Sequence, residues 1–207
     1  MNIGTAIAEG TKILKEKLII TASIDSEILM ANAIKKDREY ILINLMENID
    51  KEKIAFYKEL IKQRSYRKPV AQLINKKFFW NSEFYVNTNT LIPRPDTELI
   101  IEHVLKLTNH KNKLSILDIG TGSGCILLSI LKERKNFYGT GIDISKESLN
   151  VSKINARKLG LTSRSKFFKT NVDKFGIGKY DLIVSNPPYI CSNKIKYLEK
   201  DVGFYEP

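Results

Sequence analysis

Asn186-Pro187-Pro188-Tyr189 is the segment of this 207-residue chain best suited to chemistry. Two adjoining prolines stiffen a backbone and remove two N–H donors, so its carbonyls face outward with little competition. The Asn186 side-chain oxygen and the Pro187 carbonyl can then accept both hydrogens of one planar NH2 group. An amide or aniline-like nitrogen is a poor nucleophile, because its lone pair is delocalised. Two acceptors hold it in line with an electrophile and favour pyramidalisation as the new bond forms. Pro188 completes the stiff turn, and Tyr189 can cover the planar group and help exclude water. The bland alternative for these four residues is a proline-rich turn after a strand.

A second set lies upstream in Asp118-Ile-Gly-Thr-Gly-Ser-Gly124. Glycines at 120, 122 and 124 let a backbone turn tightly and come close to a ligand. Dinucleotide folds space these glycines GxGxxG and seat a pyrophosphate at the following helix. Here the spacing is GxGxG, and Asp118 stands just before the first glycine. A carboxylate there repels phosphate and suits an ammonium group, which the methionine end of S-adenosylmethionine carries. Asp143 follows about twenty residues on, where an acid can accept both hydroxyls of a ribose. Its alternative is a helix-start acid, with Ser145 able to cap the same helix. Asn171 stands where the amide could bond the edge of an adenine, and Val172 could pack on the ring. An ordinary turn residue and a core valine are the competing readings.

Other reactive side chains offer less. Cys125 opens a helix, where a thiolate can be stabilised, but a lone Cys there is more often a small core residue. His103 and His110 have no second ligand at metal spacing, so no metal is expected.

These residues need a sheet edge to hold them. LSILDIG (114–120), YGTGIDIS (138–145), SKFFKTN (165–171) and KYDLIVSNPPYI (179–190) read as strands. SGCILLSILKERK (123–135) and KESLNVSKINARKLG (146–160) read as the helices between them. Strands and helices alternating in this way predict a doubly wound, mainly parallel α/β sheet. Its carboxyl edge is where open α/β folds bind ligands. Before it, DTELIIEHVLKLT (96–108) predicts a helix capped by Asp96 or Thr97. FFWNSEFYVNTNTLI predicts a hairpin turning at Asn81-Ser82. Residues 4–66 predict a small helical bundle. In it, 24–36 carries a stripe of Ile24, Ile28, Leu29, Ala33 and Ile34, with Asp25 or Ser26 near its start as a cap. The stretch 50–69 carries Ile54, Tyr57, Leu60 and Ile61, with Pro69 helping to end it. The expected domains are a helical recognition domain (1–72), a β-hairpin linker (73–95) and a sheet domain (96–207).

Composition sets outer bounds. Hydrophobic residues at 43% and charged residues at 28% give a globular balance. No apolar run approaches the roughly 18 residues of a membrane span, and the mixed charges of the amino terminus do not read as a secretory signal. Two cysteines make no disulfide framework, which fits a cytoplasmic protein. The net charge of +11 is spread along the chain, +4 over residues 1–90 and +7 over 91–207. A solvated surface and a contact face for RNA or ribosome explain it equally well.

Taken together, DIGTGSG, GIDIS and IVSNPPYI resemble class I methyltransferases acting on planar amino groups. With the helical amino-terminal domain, the FFWNSEFYV hairpin and LIPRPDTELI, the chain resembles the HemK/PrmC family along essentially its whole length. Those enzymes are N5-glutamine methyltransferases of peptide chain release factors. The resemblance implies that Gly120, Thr121, Gly122, Ser123, Gly124, Asp143 and Asn186 bind S-adenosylmethionine, with Asn171 and Val172 at the adenine. It implies that Asn186, Pro187, Pro188 and Tyr189 hold the glutamine amide of a GGQ loop. It also places Pro93-Arg94-Pro95 in a hinge near the cofactor pocket. The expected partner is a release factor, met by a monomer without metal, membrane or direct nucleic-acid contact. An adenine-N6 or other amino-group DNA or RNA methyltransferase is the alternative enzyme, since NPPY grips adenine N6 in the same way. The family usually has Gly in place of Asn75, an acid in place of Asn171 and often an aromatic in place of Val172. Its pattern also continues well beyond VGFYEP, so a carboxyl-terminally truncated sheet is expected. Its apolar edge would be DLIVS (181–185), and the fragment would be aggregation-prone, with little activity.

Overall fold

The computed structural model describes residues 1–187 and Tyr205. The chain divides into two compact units that meet in sequence between Ile74 and Asn75.

The first unit is helical: α1 (Ile3–Glu16), α2 (Ala22–Ile34), α3 (Arg38–Ile43), α4 (Lys51–Ser65) and α5 (Val70–Ile74). Its core gathers Ile3, Leu14, Leu29, Met30, Tyr57 and Ile61. Asp25 and Ser26 lie inside α2 rather than capping it, because Thr21 is the residue before the helix. Both are buried, and Ile24 of the expected stripe is exposed. The reason is a polar core. Arg64 bonds Asp25 at 2.8 Å, and Ser26 bonds both the Tyr57 hydroxyl and the Ile7 carbonyl. Rotating Ile24 inward would strand these groups without partners. Pro69 does not end α4, which stops at Ser65. Its carbonyl instead accepts from Gln72 and Leu73 at the start of α5. Tyr205 groups with this unit, donating to the Tyr66 carbonyl at 2.8 Å.

The second unit begins with Asn75 at a φ of 54°. This left-handed conformation favours Gly and tolerates Asn. The Asn75 side chain also donates to the Val86 carbonyl at 3.0 Å. The hairpin pairs β1 (Lys77–Phe79) with β2 (Ser82–Phe84). It turns at Trp80-Asn81 rather than Asn81-Ser82, since Ser82 pairs with Phe79. Phe79 and Phe84 enter the core of the second unit, so the hairpin belongs to that unit's packing.

A short 3-10 turn (Pro95–Thr97) leads into α6 (Glu98–Leu107). Then follow β3 (Ser115–Ile119), α7 (Cys125–Glu133), β4 (Tyr138–Asp143), α8 (Lys146–Lys158), β5 (Ser165–Lys169) and β6 (Leu182–Ser185). The sheet is parallel throughout, in the order β5-β4-β3-β6. β3 is interior, and β6, which leads to NPPY, lies beside it. Helix α7 is buried at Cys125 and at every position from Ile126 to Leu131, as an apolar helix packed against β3, β4, α6 and α8 must be. Among the described residues no helix is long and apolar enough to cross a membrane.

Candidate active site

The register of the sheet aligns the chemistry. Ile119 lies opposite Ser185 on β6 and Ile142 on β4, and Ile142 lies opposite Phe168 on β5. The next residue on each strand is therefore Asn186, Gly120, Asp143 and Lys169, in a row along the carboxyl edge. Neighbouring strands in such a row are about 4.8 Å apart. Gly120 and Asn186, 66 positions apart in the chain, thus become neighbours, with Asp143 on the other side of Gly120.

The glycine loop is built by backbone geometry. Gly120, Gly122 and Gly124 have φ of 70°, 55° and 79°, all left-handed. The N–H groups of Gly120 and Thr121 both donate to the Ile142 carbonyl, at 2.9 and 3.0 Å, pinning the loop across β4. A Cβ on Gly120 would meet nothing within 4 Å, and one on Gly122 would come no nearer than 3.9 Å to the Gly120 carbonyl oxygen. The space above these two residues is open, as a ligand seat requires. Gly124 differs. It is buried, and a Cβ there would press on Leu128 at 3.0 Å. Thr121 and Ser123 are also buried, so Gly120 and Gly122 are the loop's accessible backbone.

Two carboxylates flank this loop in different environments. Asp143 is half-buried and accepts from the Gly122 N–H at 3.0 Å and the Ser145 N–H at 2.9 Å. Each oxygen keeps a further lone pair, which a ribose hydroxyl can use. Asp118 is 1% exposed. One of its oxygens accepts from the Thr121 hydroxyl at 2.7 Å, and the other has no partner among the described residues. Burial pushes its carboxyl up to about 7. The acid before the glycines is therefore a buried, half-satisfied group rather than an open anionic contact. Burial likewise pushes the Cys125 thiol up to about 12, which leaves the thiol protonated and unreactive.

Asn186 is half-buried, and its side-chain nitrogen donates to the Thr97 hydroxyl at 3.1 Å. The Thr97 side chain therefore serves β6 rather than capping α6. Pro187 is exposed. Pro188 and Tyr189 lie outside the described residues. Asn171 is exposed, and its side chain accepts from Asp173 at 3.3 Å, as a turn residue does. Val172 is 46% exposed and thus no core valine. Ile144, directly after Asp143, is 71% exposed. The signal for Ile144 in the sequence is GIDIS, whose apolar alternation continues past the acid. Among the described residues no group of His, Cys, Asp or Glu could hold a metal ion.

The polar seam of α8 was also not anticipated. Ser152 donates to the Gly122 carbonyl at 2.7 Å, and Asn155 donates to the Ser123 carbonyl at 2.9 Å. Asn155 also exchanges two bonds with the Tyr85 backbone, at 2.7 and 3.0 Å. Ser148 donates to the Asn89 carbonyl at 2.7 Å. One helix face thus ties the glycine loop to the chain that follows the hairpin.

Comparison with known proteins places this geometry. The Methyltransferase small domain matches residues 95–199, and the PrmC N-terminal domain matches residues 5–74. A release factor glutamine methyltransferase from Caulobacter vibrioides is 38% identical over 195 residues, covering 94% of this chain and 68% of the relative. Its namesake from Leptospira interrogans is 38% identical over 212 residues, covering 100% of this chain and 73% of the relative. One from Buchnera aphidicola subsp. Schizaphis graminum is 42% identical over 183 residues, covering 88% and 66%. The chain spans about two thirds to three quarters of the length of these relatives.

Proposed function

The chain belongs to the family of release factor glutamine methyltransferases, and from that premise we propose that it methylates the side-chain amide nitrogen of the glutamine in a release factor's GGQ motif. The methyl donor is S-adenosylmethionine, which when bound supplies an electrophilic methyl group on a sulfonium. The accessible backbone of Gly120 and Gly122 receives its methionine portion. Asp143, held by two backbone N–H groups, accepts from the ribose hydroxyls. Ile144 and Val172 offer exposed apolar surface to the adenine, with Asn171 at its edge.

Asn186 and Pro187 do the chemistry's positioning. The Asn186 side-chain oxygen and the Pro187 carbonyl accept the two amide protons of the substrate glutamine. This turns the nitrogen lone pair toward the methyl group and stabilises positive charge growing on nitrogen in the transition state. A nitrogen–carbon bond forms as the sulfur–carbon bond breaks, and the methylated nitrogen then releases one proton to solvent. Pro188 and Tyr189, which the family motif assigns to the same grip, lie outside the described residues. The observation that carries this reading is the register placing Asn186 and Gly120 side by side at the carboxyl edge, one residue beyond Ser185 and Ile119.

The test is methyl transfer from tritiated S-adenosylmethionine to a release factor and to its variant with the GGQ glutamine replaced by glutamate. Label on the first and none on the second is the expected result. Equal labelling of both, or labelling of adenine in nucleic acid instead, would overturn the assignment.

A further inference from the structure

An asparagine can offer its amide in two orientations, and only one is useful to Asn186. With the oxygen toward the substrate, it accepts a proton from the glutamine NH2. With the nitrogen forward, two NH2 groups face each other and neither can accept. The reaction therefore needs something that decides which way the Asn186 amide points.

The Thr97 hydroxyl holds the nitrogen end of that amide, which leaves the oxygen end for the substrate. The Asn186 nitrogen lies 3.1 Å from the Thr97 hydroxyl, a contact spanning 89 positions of sequence. Thr97 is buried and ends the 3-10 turn Pro95–Thr97. Its backbone N–H is bonded to the Arg94 carbonyl at 3.0 Å, and its φ and ψ are −68° and −19°. A β-branched side chain on such a fixed backbone has few χ1 choices, so the hydroxyl stays where it is put. The next residue, Glu98, is anchored too, accepting from the Trp80 N–H of the hairpin turn at 2.7 Å. The hydroxyl thus projects from a locked turn, whereas Asn186 follows a four-residue strand that lies at the sheet edge among the described residues.

We infer that Thr97 is a positioning residue for methyl transfer, holding the NH2 of Asn186 so that its side-chain oxygen faces the substrate amide. This inference rests on the reading of Asn186 as the amide acceptor. It also gives the threonine of LIPRPDTELI a task beyond starting a helix. Thr97 makes no contact with the glycine loop or Asp143 in the bonds described, so its effect falls on the transfer step and spares cofactor affinity.

The experiment compares Thr97→Val, which keeps the shape and loses the hydroxyl, with Thr97→Ser, which keeps the hydroxyl. Asn186→Ala serves as the reference. Expected for Thr97→Val is a fall in kcat of about tenfold, the size of one lost hydrogen bond to a working group. Affinity for S-adenosylhomocysteine should stay within about twofold, and Thr97→Ser should recover most of the rate. The side-chain NH2 protons of Asn186 supply a second readout by nuclear magnetic resonance, assigned through their loss in Asn186→Ala. They should move upfield in Thr97→Val and stay in place in Thr97→Ser. If Thr97→Val folds poorly, Thr97→Ala carries the same comparison. Asn186→Ala losing activity while Thr97→Val keeps its rate and its NH2 shifts would overturn the role of Thr97 and leave the amide grip standing. Full activity in Asn186→Ala would instead remove the grip itself, and the inference with it.

Discussion

At the residue scale the site rests on backbone conformations and a buried carboxyl that few side chains could supply. Gly120 and Gly122 are glycine because φ is positive and the space above them is open, a combination that packing alone would not demand. Asp118 carries a measurable consequence. Its carboxyl titrates from an ordinary 3.8 in the unfolded chain to about 7 in the folded one, chiefly through burial. Between those values the native state holds a proton that the unfolded state has released. Its contribution to stability is therefore fully present below about pH 4 and is lost as the pH rises toward and through about 7. Asp118→Asn stays neutral throughout. The stability of that variant relative to the parent should rise from pH 5 to about pH 7 and level off above it, read from urea unfolding at each pH. A constant difference across that range would mean that Asp118 is ionised in the fold. A sequence shows that an acid precedes the glycines; it does not show that the acid is sealed from water.

At the element scale the strands and the helix α8 were legible, and the buried polar face of α8 was not. Alternating apolar runs and helix-length spacers force a parallel sheet, and with it a carboxyl edge holding the ends of β3, β4 and β6. The seam of Ser148, Ser152 and Asn155 was invisible for a plain reason. Polar residues at helical spacing ordinarily mark a solvated face. Here they are buried, because the backbone carbonyls of Gly122, Ser123, Tyr85 and Asn89 need donors in a place water does not reach. Asn155 is fully buried and serves three backbone groups. Asn155→Leu should cost roughly 2–4 kcal/mol, because those groups lose their partners and stay buried. Chemical denaturation checks this, and a loss under about 0.5 kcal/mol, the range of a surface change, would show that the seam is not structural. The same reasoning covers α2. Its stripe looked apolar through Ile24, yet the buried Asp25–Arg64 pair turns Ile24 out, and no local pattern announces a partner 39 residues away.

At the scale of the whole molecule, two units each bury their own core, a helical one over Met1–Ile74 and a sheet-based one from Asn75. Every described residue of the candidate site belongs to the second unit. The family pattern was legible because the motifs sit on the parts that geometry constrains most, namely the strand ends and the turn at Pro95–Thr97. The side-chain bonds that aim those motifs, such as Thr97 to Asn186, were not legible, because they join residues far apart in sequence through a fold not yet built. The central claim is that Asn186 acts on the transferred group while Asp143 acts on the donor. It is tested most directly by measuring kcat for release factor methylation together with S-adenosylhomocysteine affinity in Asn186→Ala and Asp143→Ala. The account predicts a split. Asn186→Ala should lower kcat about a hundredfold with affinity little changed, and Asp143→Ala should weaken affinity by about ten- to a hundredfold. Intact kcat in Asn186→Ala with only affinity reduced, or unchanged affinity in Asp143→Ala, would contradict it.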